Sequence, residues 1–474
     1  MNSFIHQQLG AQGIVSILPL AKAGSDRNYV RVVTQQGSFI VCENKNIREN
    51  EVFINFTAYF KQYNLPVPEI IAVSPDRSMY IQTDFGNETL LSITLKHGYT
   101  EAVKSLYKKS LDGLVEMQCK AGESFDYSTC LYAQQFDQQM VMGDLNYFKY
   151  YFLDLHSIVY NKHQLLTEFE TLSKEISTIT PQQFMFRDFQ GRNIMIQKDA
   201  PYFIDYQGGM KGPILYDVAS LLWQAKAALP VEWKAELFDY YKQGLSKYIQ
   251  FDDMQLSQDY SKLVLVRLLQ VLGAYGLRGI IEKRTHFISS IPQGLTNVST
   301  WLSMYTLEKY PVLHQALVNL TSSDMMEKYK QRQANSETPL KVLVQSFSYK
   351  KGGIPTDASG NGGGFVFDCR GVLNPGRFEP YKKLTGRDQP VIDFLESETR
   401  IAEFLQAAQE AVSISVDDYL DRGFENLMIS FGCTGGQHRS VYCADAMAKF
   451  LQEKYNLTAE VCHIQQELKG WINE

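Results

Sequence analysis

In the stretch Phe186-Arg187-Asp188-Phe189-Gln190-Gly191-Arg192-Asn193-Ile194-Met195-Ile196, a carboxylate is followed five positions later by an amide, and Asp205 ends the apolar run Tyr202-Phe203-Ile204 twelve positions further on. Moving a phosphoryl group between oxygens asks for few side chains. One carboxylate accepts or orients the attacking hydroxyl, and hard oxygen ligands hold the metal ions that offset charge on a nucleotide's phosphates. Asp188 suits the first task; Asn193 and Asp205 suit the second. The bland alternative is a pair of turn and strand-end carboxylates with ordinary capping roles, since a D-x4-N spacing arises by chance. Context favours the chemistry: IMI follows Asn193, YFI precedes Asp205, and Gly212-Pro213 then leads to Tyr216-Asp217-Val218-Ala219-Ser220-Leu221-Leu222.

The elements that would position these groups can be read from periodicity. In the first 90 residues, β-like runs (Tyr29 to Val33, Phe39 to Cys42, Ile70 to Val73, Met79 to Gln82) alternate with one helical stretch, Glu49 to Tyr63, predicting a small sheet with a packed helix. From Tyr99 to Glu327 the pattern is helical, broken by a β-rich island over Asn193 to Tyr206. KYKQRQANSETP, from Lys328 to Pro339, is polar and loses periodicity, as linkers do. Beyond it, strands over Lys341 to Phe347, Phe365 to Cys369 and Leu427 to Phe431 alternate with helices over Val391 to Ala411 and Val441 to Tyr455, an α/β pattern. GNGGG, Gly360 to Gly364, reads as a loop.

The catalytic stretch and its GP-x-x-YD-x-x-SLL ending resemble the aminoglycoside phosphotransferase and choline-kinase-like superfamily. That resemblance implies a protein-kinase-like α+β fold with a β-rich N-lobe over about 1–86 and a helical C-lobe over about 87–330, followed by a linker at 331–340. ATP and Mg2+ are the implied cofactors. Asp217 would hold the catalytic loop, with an N-cap for the helix beginning at Val218 as the simple alternative; both can hold together. Phe186 replaces the usual loop-supporting His. Ala23-Gly24-Ser25-Asp26-Arg27-Asn28-Tyr29 would form the loop over the phosphates, or else a plain hairpin turn. The strand Phe39 to Glu43 lacks the usual phosphate-pairing Lys, with Lys45 out of register. The AGSDRNYVRV loop, Leu65-Pro66-Val67-Pro68, Tyr80 to Gly86 and Arg267-Leu268-Leu269-Gln270-Val271-Leu272-Gly273 are similar to bacterial N-acetylmuramate/N-acetylglucosamine anomeric kinases. By that resemblance the adenine contacts Gln82 to Asp84, and Glu49 or Glu51 is the lobe-organising acid.

Residues 341–474 carry Ile429-Ser430-Phe431-Gly432-Cys433-Thr434-Gly435-Gly436-Gln437-His438-Arg439-Ser440-Val441: strand, glycine loop, helix. Helix-start N–H groups of Gly435, Gly436, Gln437, His438, Arg439 and Ser440, with the Arg439 cation, would bind an anion. The C-x5-R spacing from Cys433 to Arg439 also matches that of cysteine phosphatases. Phe367-Asp368-Cys369-Arg370, Asn374-Pro375, Thr385-Gly386-Arg387-Asp388-Gln389-Pro390-Val391 and GCTGGQHRSV resemble the C-terminal domain of RapZ, an adaptor that senses glucosamine 6-phosphate and binds small RNA. The resemblance implies an α/β sugar-phosphate sensor. His438 could instead cap or pack at the helix start, and Asp368 could be a strand-end charge paired to Arg370.

At 474 residues, 45% hydrophobic, the chain can build several cores, and its net charge of -6 gives no basic footprint for nucleic acid or membrane. From Lys341 onward 14 Lys and Arg face 18 Asp and Glu, which argues against RNA. Seven cysteines without CxxC, no leader-like start and no long apolar run predict a reduced cytoplasmic protein. The expected activity is phosphorylation of a hydroxyl on an amino sugar, coupled to sugar-phosphate sensing. A nucleotide-sensing adaptor and a bifunctional kinase/phosphatase using Cys433 stand as alternatives.

Overall fold

The structure, a computed structural model, describes residues 1–10, 13–20, 27–282, 284–329, 332, 334–360 and 364–471. It divides into two units, Met1–Tyr329 and Lys330–Glu474.

In the first unit β1 (Ile14–Pro19), β2 (Asn28–Thr34), β3 (Gly37–Glu43), β4 (Ile70–Val73) and β5 (Met79–Thr83) form a sheet in the order β1-β2-β3-β5-β4, with every neighbouring pair antiparallel. Alternation sends Val32, Val41 and Ile81 to one face, where they pack on Phe4 and Ile5 of the helix Asn2–Leu9. Cys42 and Tyr80 point to the other face and share a core with Val52, Phe53, Phe56 and Phe60 of the helix Ile47–Gln62. Asn46 caps that helix by accepting from Glu49 N at 3.3 Å. The helix Asn2–Leu9 and β1 go beyond the sequence expectation. The helix has no capping side chain, and β1 is an edge strand that leaves Val15 and Leu18 exposed, so neither shows a clear periodic signal.

The rest of this unit is helical. It holds two short pairs among β6 (Gln182–Met185), β7 (Ile194–Gln197), β8 (Ala200–Phe203) and β9 (Met210–Pro213): β6 with β9 and β7 with β8, both antiparallel. Sequence predicts only the second pair. The stretch Asp253–Ile281 is long and apolar enough to cross a membrane by length and composition. Its apolarity matches its place in the core, where Leu263, Val264, Leu265, Val266, Leu268 and Leu269 are all buried. A helix packed on every side needs apolar residues all round.

The second unit is built on β10 (Lys341–Ser348), β11 (Phe365–Asp368), β12 (Asn426–Cys433) and β13 (Ala459–His463), all parallel, in the order β11-β12-β10-β13. Val342, Val344, Ile429 and Phe431 share a core with Val412 and Val416 from the helix Ile401–Arg422 and Met447 and Leu451 from Arg439–Tyr455. The single helix expected over Val391 to Ala411 is two, Gln389–Glu398 and Ile401–Arg422. Thr399 is extended and its Oγ1 accepts from Ile401 N at 3.1 Å, a hydroxyl competing with the helix for its backbone. Within 331–340, Arg332 Nε lies 2.8 Å from Asp421 and Leu340 is buried in this core, so part of that polar segment packs on the second unit. Asn361 to Gly363 of the GNGGG loop lie outside the described residues.

Candidate functional site

The loop from Phe186 to Asn193 leaves β6 through Phe186, which is buried edge-on against Phe189, Phe203 and Tyr206. Ring packing here takes the place of a histidine's hydrogen bonds in supporting the loop. Arg187 adopts φ +77, in the left-handed region that side chains rarely occupy. Its Nη2 donates to Asp144 at 2.7 Å and its guanidinium lies 4.7 Å from the Phe136 ring. Asp217 is fully buried inside the helix Leu215–Leu222 and accepts from Phe186 N at 2.7 Å, Arg187 N at 2.9 Å and Gln118 Nε2 at 3.2 Å. The N-cap of that helix is Ile214, so the Asp217 side chain serves the loop's backbone and not the helix start. Burial pushes its carboxyl up to about 7, against those three hydrogen bonds.

Asp188 opens onto the cleft, with Oδ1 accepting from Arg267 Nη2 at 3.0 Å. Burial raises its pKa, but the Arg267 charge, then Arg192 and Arg187, outweigh this and hold it below the usual value. Asn193 Nδ2 donates to Asp188 O at 2.9 Å. Asp205 sits at φ +70 after β8, and its Oδ1 accepts from Arg27 Nη2 at 2.7 Å and Gln207 Nε2 at 3.0 Å. Asp188, Asn193 and Asp205 all line one cavity of about 900 Å³, with Arg27, Gln82 and Asp84 among its other walls. Asp84 accepts twice from Arg31, at 2.5 and 3.0 Å. Gly24, Ser25 and Asp26 lie outside the described residues.

Of the two candidate acids on the first long helix, Glu49 turns toward the cleft, 3.7 Å from Arg27 Nε and 3.3 Å from Gln207 Nε2. Glu51 turns away, to Arg77 at 3.7 Å. β3 carries no lysine; Cys42 is buried there, and its register partner on β2 is Tyr29, two residues after Arg27. Sequence reasoning missed the Arg267 contact with Asp188. The available signal was one arginine amid Leu263 to Leu269, since a cation in an apolar helix needs a counter-charge.

In the second unit, β12 ends at Cys433 and the helix Arg439–Tyr455 follows the glycine loop. Gly436 takes φ +65, and a Cβ there would stand 2.8 Å from Gln465 Cγ. Gly436 N donates to Cys433 Sγ at 3.2 Å, and Ser440 Oγ lies 3.1 Å from the same sulfur. Burial raises the Cys433 pKa, but hydrogen bonds from Ser440, its backbone and that of Gln437, and the Arg439 charge, leave the thiol below its ordinary value. Arg439 is buried: Nη1 donates to Arg370 O at 3.1 Å and Val372 O at 2.5 Å, Nη2 lies 3.4 Å from Thr434 Oγ1, and Nε has no partner among the described residues. Gln437 Nε2 donates to Lys382 O and Leu384 O at 2.8 and 2.9 Å, and His438 Nε2 bonds Tyr381 O at 2.8 Å. These two side chains thus anchor the loop. Asp368 pairs with Arg370 at 2.6 Å, both side chains about half exposed.

Residues 16–251 match the phosphotransferase enzyme family and residues 340–467 match the RapZ C-terminal domain. A nucleotide-binding protein of Cereibacter sphaeroides is 45% identical over 116 residues, 24% of this chain and 36% of that protein. A nucleotide-binding protein of Marinobacter nauticus is 33% identical over 178 residues, 36% of this chain and 58% of that one. The chain therefore spans 36% and 58% of the lengths of these two curated relatives. Among solved structures, an amicoumacin kinase in complex with AMP-PNP, Ca2+ and amicoumacin aligns with TM-score 0.42 at 11% identity, covering 67% of this chain and 89% of that one. Choline kinase LicA from Streptococcus pneumoniae aligns with TM-score 0.44 at 12% identity, covering 64% and 99%. Two families thus meet in this chain: a domain of the phosphotransferase enzyme family over residues 16–251, and a RapZ C-terminal domain over residues 340–467.

Proposed function

We propose that the first unit is an ATP- and magnesium-dependent kinase for the hydroxyl of a small molecule, with an amino sugar of the N-acetylmuramate or N-acetylglucosamine type as acceptor. The observation that carries this is the convergence of Asp188, Asn193 and Asp205 on one cavity beside Gln82 and Asp84. Asp188, held anionic by Arg267, orients the acceptor hydroxyl toward the phosphoryl group. The donor set fits magnesium: Asp205 already holds a cation, the Arg27 guanidinium, and Asn193 adds a second hard oxygen. Bound there with the nucleotide's phosphates, magnesium would offset the charge that builds up during transfer. Arg27, between Glu49 and Asp205, supplies the phosphate-facing charge that β3 lacks. Gln82 to Asp84 offer backbone groups to the adenine.

The second unit is the companion proposal: its loop from Gly435 to Ser440, braced by Arg439, reads a sugar phosphate through backbone N–H groups. Both roles belong to a cytoplasmic protein of amino-sugar metabolism. A nucleotide-sensing adaptor without chemistry is disfavoured by the intact Asp188, Asn193 and Asp205. A phosphatase reading has its own observation, the hydrogen bonds from Gly436 N and Ser440 Oγ onto Cys433 Sγ. Hydrolysis of p-nitrophenyl phosphate that Cys433→Ser abolishes would establish it. ATP consumption across N-acetylated amino sugars, aminoglycosides, choline and homoserine tests the kinase. Turnover on kanamycin-like compounds with none on N-acetylmuramate or N-acetylglucosamine would refute the acceptor assignment.

A further inference from the structure

The carboxylates lining the cavity are all matched. Asp84 has Arg31, Asp144 has Arg187, Asp188 has Arg267 and Asp205 has Arg27. Two of its lining cations are not. Arg192 precedes Asn193 in the catalytic loop, and Lys226 sits in the turn Ala225–Ala227. Among the described residues neither has an acidic partner, and both are exposed to solvent. The chain segments that carry them are tied together. Gly191 N donates to Gln224 Oε1 at 3.0 Å, tying the catalytic loop to the turn that bears Lys226. The tie needs close approach, because a Cβ on Gly191 would stand 3.1 Å from that oxygen and 3.1 Å from Leu91 N. Both cations line the cavity without a salt-bridge partner among the described residues, and a bound anion would supply one.

We propose that Arg192 and Lys226 receive an anionic group of the acceptor, so that the substrate is an acidic small molecule bearing a carboxylate or phosphate, and not a polycation. The proposal rests on the kinase reading of this cavity. On the kinase reading the nucleotide's phosphates would face Arg27, just before β2, whereas Arg192 and Lys226 both belong to the helical lobe. A guanidinium and an ammonium on the wall of one cavity suit a carboxylate or phosphate, each able to accept several charge-assisted hydrogen bonds.

The test is calorimetry on the full chain with AMP-PNP and Mg2+ present, using pairs of probes that differ in charge. N-acetylmuramate is compared with N-acetylglucosamine, and glucuronate and glucose 6-phosphate are each compared with glucose. An acidic member that binds about tenfold or more tighter than its neutral partner, a preference of roughly 1.4 kcal/mol, is the expected result. The Arg192→Gln/Lys226→Gln double variant then loses that preference, and Lys226→Glu reverses it. The glucuronate and glucose 6-phosphate arms tell a carboxylate reader from a phosphate reader, and binding that survives in the double variant belongs elsewhere in the chain. Equal binding of charged and neutral partners, a preference that survives the double variant, or a double variant weakened for AMP-PNP alone would overturn the proposal. The kinase reading fails separately, if no probe that binds supports ATP turnover or if turnover persists in Asp188→Asn.

Discussion

Arg267 reaches out of the core helix Asp253–Tyr275 to place Nη2 3.0 Å from Asp188 Oδ1, linking positions 79 residues apart. The ion pair fixes the carboxylate's direction and its charge together. Replacing Arg267 with Met keeps an apolar filling but frees Asp188, and a misplacement on the order of 1 Å costs about 10²-fold in rate. Losing the cation also raises the Asp188 pKa, so the acid limb of the pH–rate profile moves to higher pH in Arg267→Met. A variant that lowers kcat without moving that limb would reduce Arg267 to a packing residue.

Asp188→Asn and Asp205→Asn each lower phosphoryl transfer by about 10²-fold or more, since one loses the hydroxyl-orienting carboxylate and the other a metal ligand. Unchanged circular dichroism and thermal midpoint would show the fold intact. Near-normal turnover in either variant contradicts the assignment.

Arg27→Ala weakens ATP binding by roughly 10- to 100-fold, the scale of one lost charge-assisted contact of about 1.5–3 kcal/mol. Arg27→Lys retains part of the affinity, because the charge survives while the fork between Glu49 and Asp205 does not. Nucleotide titration of the three proteins ranks them wild type, Lys, Ala; any other order removes Arg27 from the phosphate site.

Asp217 sets a pH dependence of stability. Its folded pKa, about 7, is raised above the unfolded value near 3.8. The contribution is therefore complete at low pH and lost as pH rises through 7. Between pH 5 and 8 the advantage of wild type over Asp217→Asn shrinks by about 2–3 kcal/mol, at 1.36 kcal/mol per unit of pKa difference. Urea denaturation at the two pH values measures it; an advantage that grows with pH would show the carboxyl ionised in the fold.

Arg439→Ala removes glucosamine 6-phosphate binding and leaves ATP affinity in the first unit as it was. Gly436→Ala has the same effect by another route: φ +65 and the contact with Gln465 strain any side chain there, costing at least about 1 kcal/mol. Wild-type protein that binds no sugar phosphate, or Arg439→Ala protein that binds it undiminished, would remove the sensing role.

What could be read from sequence divides along physical lines. The gathering of Asp188, Asn193 and Asp205 on one cavity, and the hold of Asp217 on the Phe186–Arg187 backbone, could be anticipated because the proposed roles demand a residue type at a short, nearly fixed spacing. The strand, loop and helix around Cys433 were legible from the glycine cluster between two apolar runs. Tertiary partners were not: Arg267 for Asp188 and Asp144 for Arg187 are joined by packing alone. Glu49 and Glu51 looked alike as acids of one helix turn, and only the burial of Phe53 and Phe56 decides which of them faces the cleft. The split at Thr399 was hidden because apolar periodicity runs through it, while one hydroxyl ends the first helix. β13 was missed because Ala459-Glu460-Val461-Cys462-His463 carries too few β-branched or aromatic residues to announce a strand.

The strand order β11-β12-β10-β13 makes synthesis itself a constraint. β10 is the first strand of its sheet to leave the ribosome, yet both its neighbours come late: Lys341 pairs with Asn426 and Val342 with Ala459. Until those segments emerge, the apolar side chains of β10 and both its backbone edges stay open, at the stage when a nascent chain is most prone to wrong pairings. The first unit, by contrast, has all its partners once Tyr329 is out. Slowing translation after position 348 should therefore penalise the second unit far more than the first, and chaperones that mask apolar strands should engage the chain while residues 349–425 are being made.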